Sequence, residues 1–224
     1  MVARRDEWMS IDDFLALDRE NLGQKYEFRN GQMVAMAGGS KHHAAIIGNL
    51  YTILRNHLKG SSCFPFTSEM TLKVKEDGLL PDLMVTCNEK DLDFAENKTY
   101  VEHPKLVIEV LSPSTEKIDR GEKFFKYTFC SSIQEYVLVN YDCMLVQRET
   151  RKGMQWLSTW FGKGENVEFE SIGLTVPVEE IYDRIILPPF NPFREYRKRG
   201  NPGARAFHAI TSIPESFEPS EGEA

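Results

Sequence analysis

Two carboxylates stand where carboxylates are costly. Asp82 follows Pro81 at the mouth of the apolar run Leu83-Met84-Val85-Thr86-Cys87, and Glu109 lies inside a second run, Lys105-Leu106-Val107-Ile108-Glu109-Val110-Leu111-Ser112. An acid among Val, Ile and Leu must be satisfied, because an isolated buried charge costs several kcal/mol or takes up a proton. The two acids are 27 positions apart, room for a strand, a loop and a return along the neighbouring strand. Brought together they repel, and one keeps its proton unless a cation lies between them. A hard divalent cation, Mg²⁺ or Mn²⁺, suits such a pair, because it takes oxygen ligands and keeps several waters. Further on, Asp119, Lys123 and Tyr127 recur at the spacing that shares one helix face. A lysine there can face the acids and offset charge in a transition state. The chemistry that fits is metal-assisted hydrolysis of a phosphodiester, with a metal-bound water as nucleophile.

Positioning these groups requires a core, and 224 residues with 41% hydrophobic content can bury one. One domain is expected over residues 1–188. A poorly ordered tail is expected over residues 189–224, where Pro, Arg, Gly and Glu dominate and apolar periodicity stops. Cys63, Cys87, Cys130 and Cys143 form no CxxC pair, so neither a zinc site nor a disulfide is expected, and a reducing, cytoplasmic compartment is. No apolar run nears the ~20 residues that span a membrane. Residues 1–10 lack the apolar segment of a secretory signal. A net charge of −7 argues against a protein that coats nucleic acid. It is compatible with an enzyme that touches phosphates through a local strip such as Arg55-His57-Lys59, Lys117-Arg120-Lys123-Lys126 or Arg194-Arg197-Lys198-Arg199.

The elements follow from periodicity. Ser10 with Asp13 reads as a capping box opening a short amphipathic helix over residues 10–17. Residues 26–36 alternate on both sides of Asn30-Gly31, a hairpin signal. Ile46, Ile47, Leu50, Ile53, Leu54 and Leu58 recur at helical spacing and predict a long helix over residues 41–59, stopped by Gly60. Short strands are expected at residues 63–66 and 69–75, with Asp77-Gly78 as a turn. Central strands are expected at residues 83–87, 105–112 and 133–139, since Leu106-Val107-Ile108 is apolar on both faces. Pro113-Ser114-Thr115-Glu116 turns into a helix. Residues 146–149, 154–161 and 167–169 read as a peripheral antiparallel meander, residues 178–186 as a closing helix, and Glu135 and Asp142 as strand-edge charges. The sum is an α/β protein with a mixed β-sheet flanked by helices.

These residues resemble the PD-(D/E)XK nuclease superfamily and, more narrowly, the Uma-type restriction-endonuclease family, a bacterial group catalogued as a domain of unknown function (DUF820). The features that match are Tyr26-Glu27 with Asn30-Gly31, Met36-Ala37-Gly38-Gly39 before His43, Pro81-Asp82, Glu109-Val110-Leu111-Ser112-Pro113-Ser114-Thr115, Asp119 with Lys123 and Tyr127, and Gln134-Glu135-Tyr136. The resemblance implies a restriction-endonuclease-like fold and a Mg²⁺- or Mn²⁺-dependent endonuclease acting on DNA. It implies Asp82, Glu109 and the Val110 carbonyl as metal ligands. The superfamily's lysine, two positions after the second acid, is here Leu111, and the resemblance moves that role to Lys123. Glu27 and His43 match positions at the edge of the site. Glu27 reads either as a further acid beside the metal or as a polar strand residue, and His43 either as a catalytic group or as a helix-packing histidine. A cut through both strands of a duplex is simplest with two sites, so a homodimer is expected, with Trp156, Trp160 and Phe161 as interface aromatics. Leu111 and the acidic charge favour the alternative, a catalytically inactive nucleic-acid-binding or protein-interaction domain that keeps the fold.

Overall fold

A computed structural model of the chain describes residues 9–20, 25–36, 38–96 and 98–187. The tail expected over residues 189–224 lies outside them. In chain order the elements are α1 (Ile11–Glu20), β1 (Tyr26–Arg29), β2 (Gln32–Ala35), α2 (Lys41–His57), β3 (Phe64–Thr67), β4 (Thr71–Val74), β5 (Asp77–Leu79), β6 (Leu83–Thr86), β7 (Tyr100–Val101) and β8 (Pro104–Val110). There follow α3 (Glu116–Ile118), a π-helical turn (Asp119–Lys123), α4 (Phe124–Thr128), β9 (Glu135–Val139), β10 (Leu145–Lys152), β11 (Gln155–Gly162), β12 (Asn166–Phe169), β13 (Leu174–Pro177) and α5 (Val178–Ile181). No helix among the described residues is long and apolar enough to cross a membrane.

Six strands form the main sheet in the order β11-β10-β9-β8-β6-β3, parallel at β8–β9 and antiparallel elsewhere. Five more form a second sheet, β2-β1-β5-β4-β7. The central strands are buried on both faces, and strand parity sorts their side chains into two cores. Leu83, Val85, Leu106, Ile108, Val110, Val137 and Val139 pack with Ile46, Leu50 and Leu54 of α2. Met84, Val107, Leu111, Tyr136 and Leu138 point the other way and pack with Tyr127 of α4 and with Leu72, Val74 and Leu79 of the second sheet. Glu109 shares the parity of Val107 and Leu111, so it is delivered to the face covered by α4 and the second sheet. Its position in an apolar run is thereby explained.

The local signals that shape this frame are mostly those in the sequence. Ser10 and Asp13 exchange hydrogen bonds as a capping box, Asp13 N–H donating to Ser10 Oγ at 3.1 Å and Ser10 N–H to Asp13 Oδ2 at 3.1 Å. Asn30 and Gly31 take left-handed backbone, φ 52° and 76°, and close the β1–β2 hairpin. Ser40 caps α2 through its hydroxyl, which accepts from His43 N–H at 3.2 Å.

Several expectations are corrected. Asp77-Gly78 is not a turn. Val74 pairs with Asp77, the turn is Lys75-Glu76, and Gly78 lies in β5 opposite Lys73, where a Cβ would stand 2.8 Å from the Phe14 ring. The strands β10 and β11 are antiparallel at the edge of the main sheet and extend it, whereas among the described residues β12 leaves that sheet and pairs with β13 alone. The closing helix is the single turn α5, capped at its C-terminus by Tyr182, whose N–H donates to the Glu179 and Glu180 carbonyls. Glu135 is not an edge charge but fully buried, accepting from the N–H groups of Glu170 and Ser171 at 3.0 and 2.8 Å. Cys63 and Cys87 are joined by a disulfide. Phe64 pairs with Thr86 across β3–β6, so the next residues outward face one another, a juxtaposition that cysteine spacing alone does not reveal.

Candidate active site

Asp82 ends the loop into β6, and Glu109 lies one strand over in β8. Val110 N–H donates to Asp82 Oδ2 at 2.8 Å, and Asp82 N–H donates to Glu109 Oε2 at 3.3 Å. Glu109 therefore holds the Asp82 backbone, and Asp82 holds the backbone of Val110, the residue after Glu109. His43, in the first turn of α2, reaches the same place, its Nε2 lying 3.3 Å from Asp82 Oδ2. The Val110 backbone also acts on the His43 ring and favours its charged form. Burial pushes the His43 pKa down, but the hydrogen bond to Asp82, its charge, the Val110 backbone and the Asp119 charge outweigh that and leave it raised. The imidazole is thus held against two of the three expected metal ligands.

Lys123 enters from the π-helical turn. Its ammonium lies 2.9 Å from Glu109 Oε1, 2.8 Å from Glu27 Oε1 and 3.6 Å from Asp119 Oδ1, at 4% side-chain exposure. Burial opposes its charge, yet Glu109, Glu27 and Asp119 together raise its pKa above the lysine range. Tyr127 donates its hydroxyl to Glu109 Oε1 at 2.9 Å, and burial keeps that phenol protonated. Glu27 sits on β1, takes Leu80 N–H at 3.0 Å and faces Arg29 Nε at 3.3 Å. The neighbours of Lys123 on its turn go elsewhere. Glu122 meets Arg29 at 3.3 Å and Asn30 at 3.1 Å, and Lys126 binds Asp77 at 2.6 Å and Asn30 at 2.8 Å.

Asp119 was not among the residues singled out for a role. It is 2% exposed, and its Oδ1 has no hydrogen-bond partner. Tyr136 Oη donates at 2.9 Å to its backbone carbonyl, pinning the π turn over β9. Such turns concentrate at functional sites. Burial, with Asp82 and Glu27, raises the Asp119 pKa despite Lys123 and the Thr115 hydroxyl. Burial also raises that of Glu109 well above the carboxylate range; Lys123 opposes this, and Asp119, Asp82 and Glu27 add to it. The cluster carries more buried negative charge than its lysine neutralises.

A cation fits that surplus by donor chemistry. The carboxylates of Asp82, Glu109 and Asp119 and the Val110 carbonyl are hard oxygen donors of the kind Mg²⁺ and Mn²⁺ take, and Asp119 Oδ1 is a buried acceptor without a hydrogen bond, 3.6 Å from the Lys123 ammonium. Among the described residues no three His, Cys, Asp or Glu side chains converge at metal-binding spacing. Waters would therefore have to supply much of the coordination, as is usual for Mg²⁺.

Comparison with known proteins bears on the frame that holds these groups. Residues 11–179 match the family Uma2, described as "Putative restriction endonuclease". The uncharacterized protein slr1290 of Synechocystis sp. is 34% identical over 177 residues, covering 78% of this chain and 91% of its own length. A second uncharacterized protein of that organism, sll1609, is 34% identical over 155 residues, 67% of this chain and 86% of its own. The crystal structure of a "putative nuclease belonging to DUF820" from Anabaena variabilis superposes with a TM-score of 0.63 at 17% identity, over 78% of this chain and 97% of that one. The chain shares that nuclease's fold and belongs to the Uma2 family.

Proposed function

We propose that the chain is a Mg²⁺- or Mn²⁺-dependent endonuclease that hydrolyses DNA phosphodiester bonds, working in the cytoplasm as a homodimer. The observation that carries this reading is the Lys123 ammonium, delivered from the π turn to within 2.9 Å of Glu109 although the strand position for a lysine is Leu111. Asp82, Glu109 and the Val110 carbonyl would hold the cation, with Asp119 at its side. When bound, the cation supplies an activated water and polarises the phosphate. Lys123 offsets charge that develops on the phosphoryl oxygens, and Glu27 and Tyr127 fix where its ammonium and the Glu109 carboxylate stand. The second reading, an inactive domain that keeps the fold, is favoured by the three acids that already occupy Lys123.

Cleavage of plasmid and single-stranded DNA under Mg²⁺ or Mn²⁺ titration tests both readings. Lys123→Ala would leave the buried carboxylates of Glu27, Glu109 and Asp119 without that ammonium, a loss of about 3–5 kcal/mol in stability. Lys123→Gln keeps a donor and is the better probe. It should lower kcat on the order of 100-fold or more while Mn²⁺ still binds, since it removes a transition-state contact rather than a ligand. Asp82→Asn should abolish Mn²⁺ binding by water relaxation. No metal-dependent cleavage by wild type, with Mn²⁺ bound equally by Asp82→Asn, would leave the inactive-domain reading standing.

A further inference from the structure

Two glycines, Gly38 and Gly39, precede the Ser40 cap of α2, and a side chain would meet very different surroundings at each. Neither takes left-handed backbone, so φ demands glycine at neither position. A Cβ on Gly38 would meet nothing within 4 Å. A Cβ on Gly39 would stand 2.6 Å from Nδ1, 3.1 Å from Cγ and 3.3 Å from Cε1 of the His43 imidazole. Gly39 is exposed and lies in no helix or strand, so the close approach serves the ring and not a core. The ring has Gly39 against its Nδ1 side, while its Nε2 lies 3.3 Å from Asp82 Oδ2. Ser40 fixes the backbone between them, its Oγ accepting from His43 N–H at 3.2 Å. Asp82 Oδ2 accepts from Val110 N–H as well, at 2.8 Å. Both groups therefore meet the same carboxylate oxygen, Oδ2, and neither meets Oδ1.

We propose that Gly39 is a positioning residue: its bare Cα is the seat that turns the His43 imidazole onto Asp82, and His43 in turn fixes which Asp82 oxygen is offered to a divalent cation. The role toward the cation rests on the nuclease reading above, whereas the seat rests on geometry alone. A carboxylate that rotates freely presents either oxygen. Two partners on Oδ2 remove that freedom and leave the lone pairs of Oδ1 for a cation or its water. His43 does this only while its ring stands where it does, and any side chain at position 39 would enter that space. The atoms such a side chain would meet belong to a ring on rotatable bonds and not to backbone, so the ring would give way and the fold would not. Replacing a glycine of ordinary φ by alanine also restricts the unfolded chain, which favours the folded state. At Gly39, stability and site geometry thus respond in opposite directions. A glycine needed for folding would lower both together.

Three measurements on the full chain test this: Mn²⁺ binding by water relaxation, the melting temperature, and the histidine Cε1–H resonances of the metal-free protein. Gly39→Ala should raise the Mn²⁺ Kd about 10- to 100-fold, the usual loss when a group that orients a metal ligand is removed. Its melting temperature should equal or exceed that of wild type. His43→Ala should weaken Mn²⁺ binding equally, and the double substitution no more than either alone, because both remove one geometry. Gly38→Ala should leave affinity and resonances as in wild type. Without metal, Gly39→Ala should shift the resonance that His43→Ala deletes and leave those of His57 and His103 in place. Wild-type affinity in Gly39→Ala, an equal loss from Gly38→Ala, or additive losses in the double variant would overturn the proposal. A lower melting temperature for Gly39→Ala would assign the glycine to the fold and overturn it too. An unmoved His43 resonance in Gly39→Ala overturns the seat whether or not metal binds. A wild type that binds no Mn²⁺ overturns the nuclease reading and with it the role toward the cation, while a shifted resonance still upholds the seat, so the two failures are told apart.

Discussion

Lys123 keeps its charge at 4% exposure because Glu27 and Glu109 lie 2.8 and 2.9 Å away, while burial pushes the pKa values of Glu109 and Asp119 up. The Glu109 and Asp119 pKa values are raised from 4.5 and 3.8, chiefly by burial, and that of His43 is raised from 6.5. A raised value means that the folded state binds the proton more tightly than the unfolded state. Its stabilising contribution is whole below the ordinary value and is lost as pH rises through the folded value. All three groups act in one direction, whereas the Lys123 contribution stays whole below 10.5. The metal-free protein should therefore lose stability in urea between about pH 5.5 and 8, after the exposed carboxylates have titrated. Glu109→Gln should flatten that slope, and a wild type that gains stability over the window would contradict the surplus of buried acid. Asp82 and Glu109 could be read from the sequence because a carboxylate at or inside an apolar strand has few other uses. Asp119 could not be read in the same way. An acid four residues before a lysine looks like a surface ion pair, and only the burial of Lys123 shows otherwise.

The π turn and the β1–β2 hairpin meet as two elements, and their contact is polar. Arg29 and Asn30 bind Glu122, while Lys126 binds Asp77 and Asn30. Through this contact Glu27 on β1 is pressed against Lys123. Lys126 is 7% exposed, so Lys126→Met should leave Asp77 and Asn30 without their donor and cost about 3 kcal/mol. Hydrogen exchange should show the loss first in β1 and β2, with α2 still protected. Uniform loss across both sheets would mean that the hairpin is no separate unit. The hairpin, α1, α2 and the central strands follow from caps, Asn-Gly and periodicity, all local signals. The π turn does not, since Asp119, Lys123 and Tyr127 share a face under ordinary helical spacing as well. Nor does the parting of β12 from β10 and β11. Alternating strands look alike within one sheet and outside it, and only the folded chain pairs β12 with β13.

At the scale of the molecule, the Cys63–Cys87 bond ties the edge strand β3 to β6, whose other end carries Asp82. Cysteine spacing suggested free thiols, because the facing of these two residues depends on a register that only the folded sheet defines. The link spans 24 positions, for which loop-closure entropy gives about 3 kcal/mol. For a chain of this size that is roughly 6 to 12 °C in Tm. Reduction should lower Tm by this amount, and Cys63→Ser should reproduce the drop without a further response to reductant. The candidate site should not feel the change at 25 °C. Four register pairs, from Phe64–Thr86 to Thr67–Leu83, separate the disulfide from Asp82. Asp82 itself is held by Val110 N–H, a contact reduction does not touch. Mn²⁺ affinity should thus be equal in the oxidised and reduced protein while their melting points differ. In the proposed cytoplasmic setting glutathione competes with the bond, so rapid alkylation of protein drawn from cells reads its state directly. Equal melting points with and without reductant, together with Cys63 and Cys87 alkylated as free thiols after air oxidation, would show that the β3 edge is held by its ladder alone.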